Sequence, residues 1–223
     1  MQKNKNKKKN ASSREQKFFN YWRGLFQFII THWFYMLRLK LVYRVKIEGK
    51  ENIPSGNEYI IAPNHLSTLD PPTIAAIFPR PVAYMAKKEL FENPFLCWWL
   101  NWLGAFAVDR ENLSVSTIRT VLTIRKTNWV FGIFPQGKRQ APGEISGITK
   151  GFASLAKTTK CGILPVGIVG SQEAKHLPFS GKITIKIGKL IPYSENVDAM
   201  VGAWKESIQT LTGFKCVDET VNV

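Results

Sequence analysis

His65 and Asp70 stand five positions apart in the run Pro63-Asn64-His65-Leu66-Ser67-Thr68-Leu69-Asp70-Pro71. Across a turn, an aspartate at that distance can accept a hydrogen bond from one nitrogen of the imidazole. The tautomer is then fixed and the other nitrogen keeps its lone pair, so the pair can act as a general base. The same carboxylate would stabilise the imidazolium once a proton has been taken. The chain carries no serine-elbow or cysteine nucleophile motif beside the pair, so the base is expected to activate a hydroxyl belonging to a substrate. A histidine and an aspartate at this spacing also occur in turns that merely hold themselves together, because polar residues are common there. The pair alone therefore does not make a site.

Four further stretches accompany it. Ala86-Lys87-Lys88-Glu89-Leu90 comes first, followed by Gly104-Ala105-Phe106-Ala107-Val108-Asp109-Arg110. Phe134-Pro135-Gln136-Gly137-Lys138-Arg139 and Ile163-Leu164-Pro165-Val166-Gly167 complete the set. Together with Asn64-His65 and Asp70, and in this order, they resemble the signature blocks of the glycerolipid acyltransferases, notably the 1-acyl-glycerol-3-phosphate acyltransferases. The likeness runs from about Ile47 to Ile191.

The resemblance implies a glycerolphosphate-acyltransferase-like α/β fold and a transfer reaction. A fatty acyl group would pass from acyl-CoA or acyl-carrier protein to the free hydroxyl of 1-acyl-glycerol-3-phosphate, giving phosphatidic acid. Another lysolipid acceptor is the alternative. His65 would be the base and Asp70 its orienting acid. Lys87, Arg110, Gln136, Gly137, Lys138 and Arg139 would bind substrate. Guanidinium groups present paired donors at phosphate geometry, and a glycine allows close backbone approach to an anion. No cofactor beyond the thioester co-substrate and no metal are implied. Where the family's third block usually reads Phe-Pro-Glu-Gly-Thr-Arg, this chain has Gln136 for Glu and Lys138 for Thr. Either the pocket holds a more anionic acceptor, or the role of the missing Glu is filled in another way.

The elements that must position these residues follow from the pattern of apolar side chains. An alternating segment from Leu41 ends at Gly49. Short apolar strands are expected at Tyr59–Ala62, Val82–Ala86, Phe106–Val108, Val130–Phe134, Ile163–Val169 and Ile183–Ile187. Helices are expected between them at Pro72–Ile77, Asn93–Leu103, Ser114–Thr127 and Thr149–Lys157, and a last one near Glu195–Leu211. Strands alternating with helices predict a mixed, largely parallel sheet covered on both faces. The His65 run follows a strand, so it should sit at that strand's carboxyl end, where such sheets place their sites.

Three regions are expected: a disordered basic tail at 1–17, a membrane-associating helix at 18–40 and the acyltransferase domain at 41–223. The tail holds Lys3, Lys5, Lys7, Lys8, Lys9, Arg14 and Lys17 among polar residues and buries nothing. The apolar run after it is rich in aromatic residues and flanked by Arg23, Arg38 and Lys40. Its uncharged part, Gly24 to Leu37, is only fourteen residues long, short of the roughly 20 that a span needs. Aromatic and basic flanks suit a helix lying in the interface, so a monotopic or peripheral position on the cytoplasmic face of a membrane is expected.

The net charge of +15 favours phosphate-rich partners. An anionic membrane surface and a phosphorylated acceptor both qualify. A nucleic acid would too, but no recognisable module appears and the aromatics do not interleave with basic residues, so none is expected. Three cysteines and three histidines without ligand spacing assemble no zinc site. The cysteines, Cys97, Cys161 and Cys216, read as buried or free thiols in a reducing compartment. No A-x-A pattern follows the N-terminus, so a cleaved secretory signal is not expected.

Overall fold

A computed structural model of the chain describes residues 14–37, 41–108, 115–173 and 181–217. Its first half contains α1 (Tyr21–Phe28), β1 (Lys46–Glu48), β2 (Tyr59–Pro63), α2 (Asp70–Ile77), β3 (Val82–Lys87), α3 (Pro94–Trp102) and β4 (Phe106–Val108). The second half adds α4 (Val115–Ile124), β5 (Val130–Gly132), β6 (Glu144–Ile145), α5 (Gly151–Thr159), β7 (Gly162–Val169), β8 (Thr184–Ile187), α6 (Val197–Thr212) and β9 (Lys215–Cys216).

Seven strands form one sheet in the order β1-β8-β7-β2-β5-β3-β4. Neighbours run parallel, save β7 and β8, which pair antiparallel from Val166 opposite Ile187 to Val169 opposite Thr184. The sheet is thus mixed and mostly parallel. β2 lies at its centre and is buried along its whole length, which is why Tyr59–Pro63 reads as a continuous apolar run. Ile60, Ala62, Phe106, Phe131 and Ile163 pack on one face against α4, α5 and α6. Ile61, Val82, Val130, Leu164 and Ile185 pack on the other face against α2.

Two strand boundaries differ from expectation by more than one residue. The segment from Leu41 pairs only from Lys46 onward, because Arg44 adopts a left-handed φ of 44° that interrupts the extended chain. β5 ends at Gly132 and not at Phe134. Ile133 still donates to the Ile61 carbonyl at 2.9 Å, but Pro135 has no N–H to continue a ladder, and Phe134 turns aside. A parallel pair outside the main sheet, β6 with β9, was not expected; it sets Glu144 opposite Lys215 and Ile145 opposite Cys216.

The N-terminal segment is built otherwise than its composition suggests. Residues 1–13 of the expected basic tail lie outside the described residues, as do 38–40 of the expected apolar helix. Arg14 to Lys17 belong to the folded body: the Arg14 amide donates to Thr120 Oγ1 at 3.2 Å, and its guanidinium lies 4.1 Å from the centre of the Phe18 ring. Asn20 caps α1 by accepting from the Arg23 amide at 3.0 Å, and the helix continues as π-helical turns through Ile29–Met36. No helix among the described residues is long and apolar enough to cross a membrane.

The helix carries its polar residues inward. Gly24, Gln27 and Thr31 face the protein, and Gly24 lies so close to Pro81 that a Cβ there would come within 3.0 Å of its ring. Tyr21, Trp22, Phe28, Ile29, Trp33 and Leu37 face outward, with Trp22 69% and Trp33 75% exposed. Gln27 makes the docking specific. Its amide oxygen accepts from the Val82 amide at 2.8 Å, and its nitrogen donates to the Val82 and Leu103 carbonyls at 2.8 and 2.7 Å.

Candidate active site

The chain leaves β2 at Pro63 and enters a loop whose shape is set by hydrogen bonds to neighbouring strands. Asn64 is buried and acts as an extension of the sheet. Its side chain donates to the Ile168 carbonyl at 2.9 Å and accepts from the Ile168 amide at 2.6 Å. The His65 amide donates to Gln136 Oε1 at 2.8 Å, and the His65 carbonyl accepts from the Gln140 amide at 2.9 Å. His65 is thus held by its backbone on both sides, which leaves only its ring to be aimed.

Asp70 aims it. As the first residue of α2, it is fully buried, and its Oδ2 accepts from the Leu66 and Ser67 amides at 2.7 Å each. The same oxygen lies 2.9 Å from His65 Nδ1. Pro71 and Pro72 follow at helical positions that need no amide donor. The positive end of the helix and two backbone donors therefore keep the carboxylate in place. With Nδ1 committed to Asp70, Nε2 is the nitrogen that can take a proton. Phe134 lies against the imidazole with ring centres 4.2 Å apart.

His65 lines a cavity of about 440 Å³, within the size range of small-ligand pockets. Its wall is mostly apolar. Ile30 comes from the N-terminal segment, Trp99, Leu100 and Leu103 from α3 and its end, and Met85, Ala105, Val108, Ile133 and Phe152 from the sheet and α5. Phe26 of α1 packs between Trp99 and Trp102, with ring centres 5.9 and 5.2 Å away, and joins the two helices over the cavity. An imidazole with its Nδ1 held by a carboxylate therefore sits at the wall of a mostly apolar chamber.

The expected substrate-binding residues are placed differently from one another. Gly137 lines the cavity beside His65 with φ 65°, and a Cβ there would meet nothing within 4 Å. Lys138 and Arg139 follow it on the same loop with exposed side chains, free to reach an anionic group near Gly137. Lys87, at the carboxyl end of β3, is exposed and lies 3.7 Å from Glu89; its neighbours Met85 and Ala86 line the cavity and it does not. Arg110 lies outside the described residues. Gln136 turns inward and does not line the cavity: it is buried, and its side chain is committed to the protein. Its Oε1 holds the His65 amide and its Nε2 faces the Ser146 carbonyl at 3.5 Å. An amide suits this position because it offers a donor to Ser146, where a carboxylate would set oxygen against oxygen. The departure from Glu is thus met within the protein, by the Ser146 carbonyl.

The sequence profile of the family described as Acyltransferase matches residues 44–169. The chain belongs to the acyltransferase family. Among relatives, the 1-acyl-sn-glycerol-3-phosphate acyltransferase of Bacillus subtilis is 34% identical over 75% of this chain and 87% of its own. That of Streptococcus pneumoniae is 31% identical over 85% of this chain and 69% of its own. The crystal structure of the 1-acyl-sn-glycerophosphate (LPA) acyltransferase PlsC from Thermotoga maritima superposes with a TM-score of 0.65 at 25% identity, covering 84% of this chain and 79% of that one.

Several residues that shape the site of this acyltransferase escaped the sequence reading. Gln27 could have been found as a polar residue inside an apolar run. Trp99 and Leu100 read only as parts of an apolar helix. Tyr84 gave no signal. Its ring lies across Gly132, whose added Cβ would come within 2.6 Å of it, and it stacks on Phe134 at 5.9 Å and 21°. Burial, and secondarily the Asp70 carboxylate, push the Tyr84 phenol well above its ordinary pKa.

Proposed function

We propose that this acyltransferase moves a fatty acyl group from a thioester, acyl-CoA or acyl-carrier protein, to the free hydroxyl of 1-acyl-glycerol-3-phosphate, forming phosphatidic acid. The observation that carries the reading is the His65 Nδ1 to Asp70 Oδ2 hydrogen bond of 2.9 Å at the wall of the apolar cavity, with Gly137 beside it. His65 Nε2 takes the hydroxyl proton, and the oxygen attacks the thioester carbonyl. The tetrahedral adduct collapses by breaking the carbon–sulfur bond, and the imidazolium returns its proton to the departing thiolate. Protons and charge balance with His65, Asp70 and the two substrates alone, so no cofactor is required. Lys138 and Arg139, with Arg110 as a further member, would hold the phosphate of the acceptor, and the apolar cavity would take an acyl chain.

The substrate's hydrophobicity gives the N-terminal helix a purpose. A helix that buries Gly24, Gln27 and Thr31 while exposing Trp22 and Trp33 is turned the wrong way for water. Helix α3 also exposes large aromatic side chains, with Phe95 70% and Trp98 51% exposed. An anionic bilayer is the partner that this surface and the net charge of +15 fit together, and we take the protein to sit monotopically on the cytoplasmic face of a membrane.

Purified full-length protein presented with 1-acyl-glycerol-3-phosphate and each donor in turn tests the reading. Phosphatidic acid is expected, with His65→Ala inactive yet still folded and still sedimenting with anionic vesicles. Equal turnover of acceptors lacking the phosphate would remove the acceptor assignment. Full activity in His65→Ala would remove the base.

A further inference from the structure

The His65–Asp70 pair leaves one of its own atoms unmatched. Oδ2 of Asp70 receives three hydrogen bonds. Oδ1, equally sealed from solvent, has no partner among the described residues. A carboxylate oxygen left unpaired inside a protein is costly. The hydroxyl of Tyr84 is in the same condition: buried and without a partner. One atom can only accept and the other has a proton to donate.

Register brings the two groups to the same side of the sheet. Tyr84 pairs with Gly132 and Gly132 with Ile61, so Tyr84 points to the face on which α2 packs. Gly132 offers no side chain, and the Tyr84 ring occupies the space above it. From there a chain of rings leads to the base, Tyr84 on Phe134 at 5.9 Å and Phe134 on His65 at 4.2 Å. Of the titratable groups, His65 faces Asp70 through Oδ2, and Tyr84 interacts with it electrostatically.

We propose that Tyr84 is a positioning residue of this acyltransferase, its hydroxyl donating to a water molecule that in turn donates to Asp70 Oδ1, so that the carboxylate cannot turn away from His65. The inference rests on the reading of His65 as the base. A carboxylate gripped at both oxygens has one rotamer, and the direction of its Oδ2, hence of the imidazole, is settled before substrate arrives. The phenol keeps its proton through the neutral range and so remains a donor.

Tyr84→Phe removes one oxygen and nothing else. In the full-length enzyme, kcat should fall about tenfold, with both KM values within about twofold, as for loss of one charge-assisted hydrogen bond that acts on the base. The His65 Nδ1–H proton resonance in the NMR spectrum should move. In an Asp70→Asn background, Tyr84→Phe should cost nothing more, because its effect passes through that carboxylate. An unmoved resonance, unchanged kcat with a raised Tm, or losses that multiply in the double variant would each overturn the proposal. The resonance needs no substrate. If it moves in a protein that fails to acylate 1-acyl-glycerol-3-phosphate, the Tyr84 link stands and the assigned reaction falls.

Discussion

Asp70→Asn separates the charge of the dyad from its shape. An amide fills the volume of the carboxylate. Its carbonyl oxygen can take the place of Oδ2 and keep accepting from Leu66, Ser67 and His65, which donate at 2.7, 2.7 and 2.9 Å. The turn should therefore survive, and what disappears is the negative charge opposite the ring. With Nδ1 and Oδ2 2.9 Å apart, the charge centres of imidazolium and carboxylate are about 4 Å apart, worth about 4 kcal/mol at an effective dielectric of about 20. That attraction is absent while the imidazole is neutral and develops as the proton arrives, so it belongs to the transition state. At about 1.4 kcal/mol per decade, kcat should drop by about a thousandfold while KM stays within about twofold. Continuous detection of the released thiol measures the rate, and a circular-dichroism melt checks the fold. Activity within tenfold of the parent would refute the electrostatic role. A fall in Tm of more than about 10 °C would show that the carboxylate holds the turn together, and the calculation would then describe the wrong quantity.

Three further outcomes follow from the geometry. Gln27→Leu leaves the Val82 amide and the Val82 and Leu103 carbonyls without their side-chain partner and should cost about 3 kcal/mol in urea denaturation; a loss under 1 kcal/mol would mean that the helix is docked by its apolar contacts alone. Gly132→Ala drives a Cβ to 2.6 Å from the Tyr84 ring, so overpacking of about 2 kcal/mol and a severalfold fall in kcat are expected, and unchanged kinetics would contradict the placement of that ring. Burial pushes Tyr59 up to about 12; because its folded pKa exceeds the unfolded value of about 10, the stability it contributes is intact below that value and is lost as pH rises through the folded one. Alkaline melts should therefore weaken between the two, with phenolate absorbance at Tyr59 appearing only on unfolding or near the upper limit.

Much of the fold was legible because its signals are local. Phe106–Val108 reads as a strand and is one. The expected helices at Asn93–Leu103 and Glu195–Leu211 appear as Pro94–Trp102 and Val197–Thr212, since apolar periodicity and caps such as Asn93 and Asn196 act within a turn or two. The His65–Asp70 pair belongs to the same class: five residues, a tight turn and two backbone donors suffice to close it. Where the reading missed, a distant partner decided. The antiparallel pairing of β7 and β8 depends on where the chain re-enters the sheet. The tail was expected to remain solvated through Lys17, yet Arg14 finds Thr120 and Asn101 far along the chain.

From its sequence alone the protein had an order of elements, a histidine with a carboxylate partner at the end of a strand, and the blocks of an acyltransferase in their usual succession. Only the tertiary structure decided that Gln136 supports His65 from 71 residues away, that α1 and α3 meet over an apolar chamber, and that the N-terminal helix turns its polar side inward. Hydrophobic periodicity specifies that a helix has faces. Which face is covered depends on what the rest of the chain brings against it, and here the unpaired amide and carbonyls of Val82 and Leu103 offered Gln27 more than water did.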